Sequence, residues 1–171
     1  MRANRAMWTA GVVVAGMLAG TRAQAADAVN SEAIGRRVVV SIPDRKLAVV
    51  ENNAVVQVFD VAVGAPASPS PTGTFTIVNR VANPTYYHSG TVIAPGPRNP
   101  IGTRWIGLNQ KGYGIHGTDQ PSSIGYAKSH GCIRLRNADV ERLFERVRPG
   151  DVVELHAERT PEIDQLFATV H

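Results

Sequence analysis

Ser129-His130-Gly131-Cys132-Ile133-Arg134-Leu135 contains the only cysteine of a 171-residue chain. Ahead of it runs Tyr113-Gly114-Ile115-His116-Gly117-Thr118, which sets a further imidazole 16 positions before the thiol. A nucleophilic cysteine reacts as the thiolate, so it needs a base in reach or positive charge nearby to lower a pKa of about 8.5. It also needs backbone N–H groups free to hold a developing oxyanion, and a neighbouring glycine lets the backbone come close. His116 and His130 both qualify as the base, and one is enough. Zinc is the other use of one thiol and two imidazoles. No second cysteine and no paired-histidine spacing accompanies them, so no metal and no cofactor is expected.

Downstream of the cysteine the pattern is helical. Val140, Leu143, Phe144 and Val147 recur at i, i+3, i+4 and i+7, Asp139 and Glu141 suit an N-terminal dipole, and Asn137 is placed to cap. Pro149-Gly150 should stop this helix. Val152 to Leu155 then reads as a closing strand. Upstream, β-branched residues dominate 37–42 and 46–51, with Pro43-Asp44-Arg45 as the turn between them. Asn52-Asn53 tolerates positive φ and suits a tight hairpin. In the next strand Val55, Phe59, Val61 and Val63 share one parity, broken only by Gln57. Residues 65–72, with three prolines, read as a loop, and 73–80 as strand. Residues 92–102 are rich in Pro and Gly and read as a long exposed connection. Segments 104–108 and 113–116 are further short strands. About seven strands with turn signals between them predict a mainly β protein, a mostly antiparallel sandwich or barrel with one short helix after the cysteine. The tail, 157–171, fits either a short helix or disorder.

The first 25 residues read as a secretory signal: Arg2 and Arg5, an apolar run from Met7 to Ala19, then Ala23-Gln24-Ala25. The run is shorter than the roughly 20 residues of a membrane span, so no stable span is expected after cleavage. A short segment, 26–36, precedes the domain at 37–156. Net charge excludes little by its size, +4 overall. Loss of Arg2, Arg5 and Arg22 leaves 15 Lys and Arg against 14 Asp and Glu, which makes no case for nucleic acid. An exported chain with one cysteine has a free thiol or an intermolecular link, and His130, Gly131 and Arg134 around it do not read as an inert core segment.

Together Ile115-His116-Gly117-Thr118 and Ser129-His130-Gly131-Cys132-Ile133-Arg134-Leu135 resemble the signature of the L,D-transpeptidase catalytic domain, also called the YkuD domain. The likeness extends to Lys46-Leu47-Ala48-Val49-Val50-Glu51-Asn52, to Gly64 with Pro71-Thr72-Gly73-Thr74-Phe75, to Asn99-Pro100-Ile101-Gly102 and to Trp105-Ile106-Gly107-Leu108. Ile101 stands where leucine is common, and Arg134 where some members carry asparagine. The resemblance implies an exported enzyme of the periplasm or cell envelope that works on peptidoglycan stem peptides in cell-wall biogenesis and cell shape. Cys132 would attack the carbonyl before the terminal D-alanine of a tetrapeptide stem and form a thioester. An amine of a second stem, a lipoprotein lysine or a D-amino acid would then take the acyl group. His116 would be the general base and acid, and the Gly117 carbonyl would fix its tautomer. The Gly131 and Cys132 amides would line the oxyanion hole, and Ser129 and His130 would shape the turn. Arg134 would hold a carboxylate or brace the loop, and Tyr86 and Tyr87, with His88, would wall the donor groove. Two other readings use the same residues. An L,D-carboxypeptidase or crosslink hydrolase would hand the acyl group to water, and a non-catalytic wall-binding module would not need the thiol.

Overall fold

Three consecutive valines, Val38, Val39 and Val40, are fully buried in β1 (Arg37–Ser41) of the computed structural model, which describes residues 35–168. The signal expected over 1–25, and most of the segment after it, lie outside the described residues. A run that is apolar on both faces belongs in a strand covered on both sides. Val38 and Val40 face the main core with Leu47, Val49 and Leu155, whereas Val39 faces a smaller cluster with Val50 and Ile163.

The remaining strands, in chain order, are β2 (Lys46–Glu51), β3 (Ala54–Asp60), β4 (Val63–Gly64), β5 (Gly73–Ala82), β6 (Tyr86–His88) and β7 (Thr91–Ile93). Then come β8 (Arg104–Leu108), β9 (Gly114–His116), β10 (Ala127–Ser129), β11 (Ile133–Arg134) and β12 (Val152–His156). Eight of them form one sheet in the order β11-β9-β8-β5-β12-β1-β2-β3. Two of its pairings, β1 with β12 and β9 with β11, are parallel and the others antiparallel. Val38 of β1, Phe59 of β3, Ile115 of β9 and Ile133 of β11 share one core cluster, so the sheet curls around a single interior from edge to edge. The mainly β architecture expected from the turn signals is present.

The Asn52-Asn53 turn has φ of 50° and 63°, the left-handed pair that a two-residue hairpin requires, and it joins β2 to β3. The strand read through Val63 ends at Asp60, with Val63 in the separate β4, and the strands that the pattern did not reveal are β6, β7, β10 and β11, each of two or three residues. A period of two has no room to show itself over that length. The connection expected over 92–102 therefore begins inside β7, which pairs with β6 to form a hairpin of Tyr86, Tyr87 and His88 against Ile93, Val92 and Thr91.

Helix α1 (Asn137–Arg146) buries Val140 and Leu143 in the main core, with Val147 just beyond its end, as the 3.6-residue period predicts. Its start differs from the expectation. Arg136 holds the capping position, no side chain caps the first turn, and Asn137 is already inside the helix. The Asn137 side chain instead turns away to Thr103 and Thr118, which offered backbone N–H groups in need of an acceptor. A second helix, α2 (Pro161–Ala168), occupies the tail, the helical one of the two readings open there. Ile163 is buried against Val39 and Val50, with Leu166 and Phe167 beside it, so α2 covers the outer face of the valine strand.

Candidate active site

Parallel pairing of β9 with β11 sets Ile115 level with Ile133 and His116 level with Arg134. Cys132 immediately precedes β11, so the two motifs converge although 16 positions separate imidazole from thiol. Cys132, His116, His130, Arg134, Tyr86 and Tyr87 all line one open cavity of about 1030 Å³. Ser129, Gly131 and Gly117 lie behind its wall, buried. The β6 strand of the β6–β7 hairpin lines it with Tyr86, Tyr87 and His88, and Tyr86 is stacked on His88 at 6.1 Å between ring centroids.

The two imidazoles have different surroundings. His130 is exposed at the rim, whereas His116 is buried and stacks on Trp105, the residue opposite it in the β8–β9 ladder, at 5.6 Å and 22°. His116 Nδ1 lies 2.5 Å from the Gly117 carbonyl oxygen. A carbonyl only accepts, so Nδ1 carries the proton and Nε2 keeps its lone pair. Burial pulls the His116 pKa down to about 4; the Gly117 bond opposes this and the Arg134 guanidinium adds to it. The ring is a neutral base at neutral pH.

Burial pushes the Cys132 thiol upward, against weaker pulls from the Gly114 backbone and Arg134. The thiol is hydrogen-bonded to the Gly112 carbonyl, Sγ to oxygen 3.6 Å. A thiolate at rest, expected for a cysteine beside a base, is therefore not favoured here: burial disfavours both charged partners. Burial thus favours the neutral thiol and the neutral imidazole.

Ser129 ties the turn. Its Oγ donates to the Cys132 carbonyl at 2.6 Å and accepts from the Gly131 amide at 3.1 Å. That second bond engages the Gly131 N–H, the amide expected to face an oxyanion. Gly131 has φ of 109°, and a Cβ there would come within 2.7 Å of the Tyr113 ring, so no larger residue fits.

Three contributors escaped the sequence reading. Asn137 Oδ1 accepts from the amides of Thr103 and Thr118 at 3.3 and 3.2 Å, holding the residues after β9 against the loop that precedes β8. A Cβ on Gly117 would overlap that same oxygen. Asn99 is buried, and its Nδ2 lies 2.8 Å from the Pro84 carbonyl and 3.3 and 3.2 Å from those of Ile93 and Ala94, at the base of the β6–β7 hairpin. Trp105 closes over His116. Asn99 and Trp105 both lie in segments of the resemblance, but their partners are long-range and no local pattern marks them. No group of three or more His, Cys, Asp or Glu side chains is arranged to hold a metal ion among the described residues.

A family model described as the L,D-transpeptidase catalytic domain, YkuD, matches residues 35–155. YkuD of Bacillus licheniformis, named as an L,D-transpeptidase, is 39% identical over 126 residues, covering 74% of this chain and 68% of that protein. YqjB of Bacillus subtilis, named likewise, is 39% identical over 118 residues, 66% of each chain. Among solved structures, an L,D-transpeptidase from Mycobacterium smegmatis is similar with a TM-score of 0.61 at 20% identity, over 71% of this chain and 58% of that one. The catalytic domain of the E. faecium L,D-transpeptidase gives 0.59 at 24% identity, over 71% of this chain and 96% of that one. The structures share the fold. The chain spans about two thirds of the Bacillus relatives and just over half of the mycobacterial chain.

Proposed function

Since this chain belongs to the L,D-transpeptidase catalytic-domain family, we propose that it transfers peptidoglycan stem peptides through a thioester on Cys132. The observation that carries this reading is the thiol sharing one cavity with a buried imidazole whose Nδ1 is tied to the Gly117 carbonyl, leaving Nε2 free to take a proton.

The neutral resting pair sets the order of events. A donor stem enters between the β6–β7 hairpin and Cys132 and displaces water from the cavity, which strengthens every polar contact inside it. His116 Nε2 takes the thiol proton as sulfur attacks the carbonyl of the third stem residue, so thiolate forms in the act of attack. The C–S bond forms and the negative charge passes to the carbonyl oxygen. With the Gly131 amide held by Ser129 Oγ, the Cys132 amide is the oxyanion donor in this scheme. Collapse breaks the C–N bond, the departing D-alanine nitrogen takes the proton from the His116 imidazolium, and a thioester remains. An acceptor amine then gives its proton to His116 and displaces the sulfur, restoring the thiol.

Export belongs to the same proposal. The basic and apolar start of the chain with Ala23-Gln24-Ala25 supports a secretory signal and work in the periplasm or cell envelope. No described helix is long and apolar enough to cross a membrane. Incubating the protein with purified tetrapeptide muropeptides and weighing the products tests the reaction. Crosslinked dimers with loss of D-alanine, or exchange of the terminal residue for a supplied D-amino acid, are expected. Accumulation of tripeptide alone, with excess acceptor present, would replace transfer with hydrolysis. An acceptor lipoprotein would show as a lysine-linked stem on that partner.

A further inference from the structure

Both arms of the turn that carries Cys132 are paired to one short stretch of backbone. On the leaving side, Ala62 and Arg134 exchange N–H and carbonyl bonds, each at 2.9 Å. On the entering side, the Val63 N–H donates to the Tyr126 carbonyl at 3.2 Å and the Ala65 N–H to the Ser129 carbonyl at 2.9 Å. Successive residues of an extended strand direct their backbone groups to opposite sides, so residues 62–65 serve two partners at once. The nucleophile's turn is anchored before and after Cys132 on the same strand.

That strand is held in turn by the loop that follows it. The Gly64 N–H donates to Oγ of Ser70, a buried residue, at 2.9 Å. A Cβ on Gly64 would lie 2.3 Å from the Ser70 nitrogen and 2.5 Å from the Ser68 carbonyl oxygen, so the loop rests directly on the glycine backbone. From there it reaches the turn itself. Ser68 Oγ donates at 3.4 Å to the Ser129 carbonyl, the same oxygen that takes the Ala65 N–H. The Pro69 carbonyl oxygen lies 3.3 Å from the place a Cβ of Gly131 would take. Ser129 passes the hold onward, since its Oγ bonds both the Gly131 amide and the Cys132 carbonyl. Pro66, Pro69 and Pro71 fix three φ angles in this loop, which lowers the entropy lost on ordering it. His116 is placed by other elements, β8 beside it and Trp105 over its ring.

We infer that Ser70 is a positioning residue for the nucleophile: it pins the loop to Gly64, the loop fixes Ser129, and Ser129 sets the Cys132 thiol against His116. The inference rests on the acyl-transfer reading above and adds to it the segment that holds the thiol in place. Ser70 does not border the cavity and touches neither substrate nor thiol in this scheme. Placement decides much in such a site, because a displacement of about 1 Å can cost roughly 100-fold in rate.

The test follows acylation by a tetrapeptide stem and by a strained cyclic amide, using single-turnover mass spectrometry over a range of concentrations. Ser70→Ala removes the acceptor of the Gly64 N–H and leaves the cavity wall unchanged. It should lower the saturating acylation rate about 10- to 100-fold and leave the half-saturating concentration within about twofold. Ser70→Thr, which keeps the hydroxyl, should recover most of the rate. Ser68→Ala, in which Ala65 still holds the Ser129 carbonyl, should show a smaller loss of the same kind. The His116 titration read by NMR should stay at its native value in all three, because the imidazole is placed by other elements. An unchanged saturating rate in Ser70→Ala, a loss confined to the half-saturating concentration, a loss that Ser70→Thr leaves unrecovered, or a shifted His116 titration overturns the assignment. Should Ser70→Ala fail to fold, Ser68→Ala decides alone, and an unchanged rate there overturns it too. Failure of both reagents to acylate the native protein would instead overturn the transpeptidase reading itself.

Discussion

Trp105 and His116 face each other across the β8–β9 ladder with their rings 5.6 Å apart and 22° from parallel. The indole covers one face of the imidazole, and burial, more than any charge, pulls the His116 pKa to about 4. Replacing Trp105 with Ala should let the value climb back toward 6.5. The acid limb of the acylation profile should move up with it, and histidine titration by NMR reads the same shift directly. An unmoved titration in Trp105→Ala would mean that burial from other neighbours dominates.

Burial of His116 also links stability to pH. The folded pKa, about 4, lies below the unfolded value of 6.5, so this residue's contribution is complete above pH 6.5. As pH falls from 6.5 toward 4 the unfolded chain gains a proton that the folded one resists, and about 3 kcal/mol is lost. Urea midpoints measured from pH 7 to pH 4 should show this slope. His116→Gln should flatten it, because the amide does not titrate.

Covalent labelling separates the roles proposed for the thiol and the two imidazoles. A strained cyclic amide such as a carbapenem should leave one adduct on the native protein and none on Cys132→Ala. General acid–base groups contribute about 10²- to 10⁴-fold, so His116→Ala should lose at least that much acylation rate while remaining folded. The loss in His130→Ala should be smaller, since that ring is exposed at the rim. The opposite ranking would exchange their roles.

Asn137 tests the difference between a helix cap and a clamp. A cap lost to Ala costs about 1 kcal/mol. Here the change would strand the amides of Thr103 and Thr118, at about 1–3 kcal/mol for each. Asn137→Ala should therefore lose more than a cap is worth and slow acylation, because Thr118 lies two residues from His116. Asn137→Asp, which keeps the acceptor, should recover much of the stability. A loss near 1 kcal/mol with unchanged acylation would return Asn137 to an ordinary helix start.

Asn99 joins the β6–β7 hairpin to the loop that follows it through the carbonyls of Pro84, Ile93 and Ala94. Removing those bonds in Asn99→Ala should speed hydrogen exchange across residues 84–94 and raise KM for the donor stem more than it lowers kcat. Exchange confined to its native rate there would show that the hairpin is held by its own ladder.

The family signature, the mainly β class, the Asn52-Asn53 hairpin and the core stripe of α1 were legible in the order of residues, because each rests on contacts between near neighbours. Periods of 2 and 3.6, positive-φ turn residues and a thiol set between glycines are local properties. The charge state of the site was not legible. Nothing near Cys132 in the chain announces that burial would favour the neutral form of both it and His116, since what covers them, Trp105 over His116 among it, packs in from other strands. Asn137 read as a cap because its own segment offered a helix start. The amides of Thr103 and Thr118 claimed it because folding brought two unsatisfied donors to it from 34 and 19 positions away. The two- and three-residue strands around the cavity have no period at all and exist only where the larger sheet gives them a partner. An unfolded chain can state which groups it carries, but pKa, the choice of hydrogen-bond partner and the register of short strands depend on what excludes water, and that is settled only when distant segments pack.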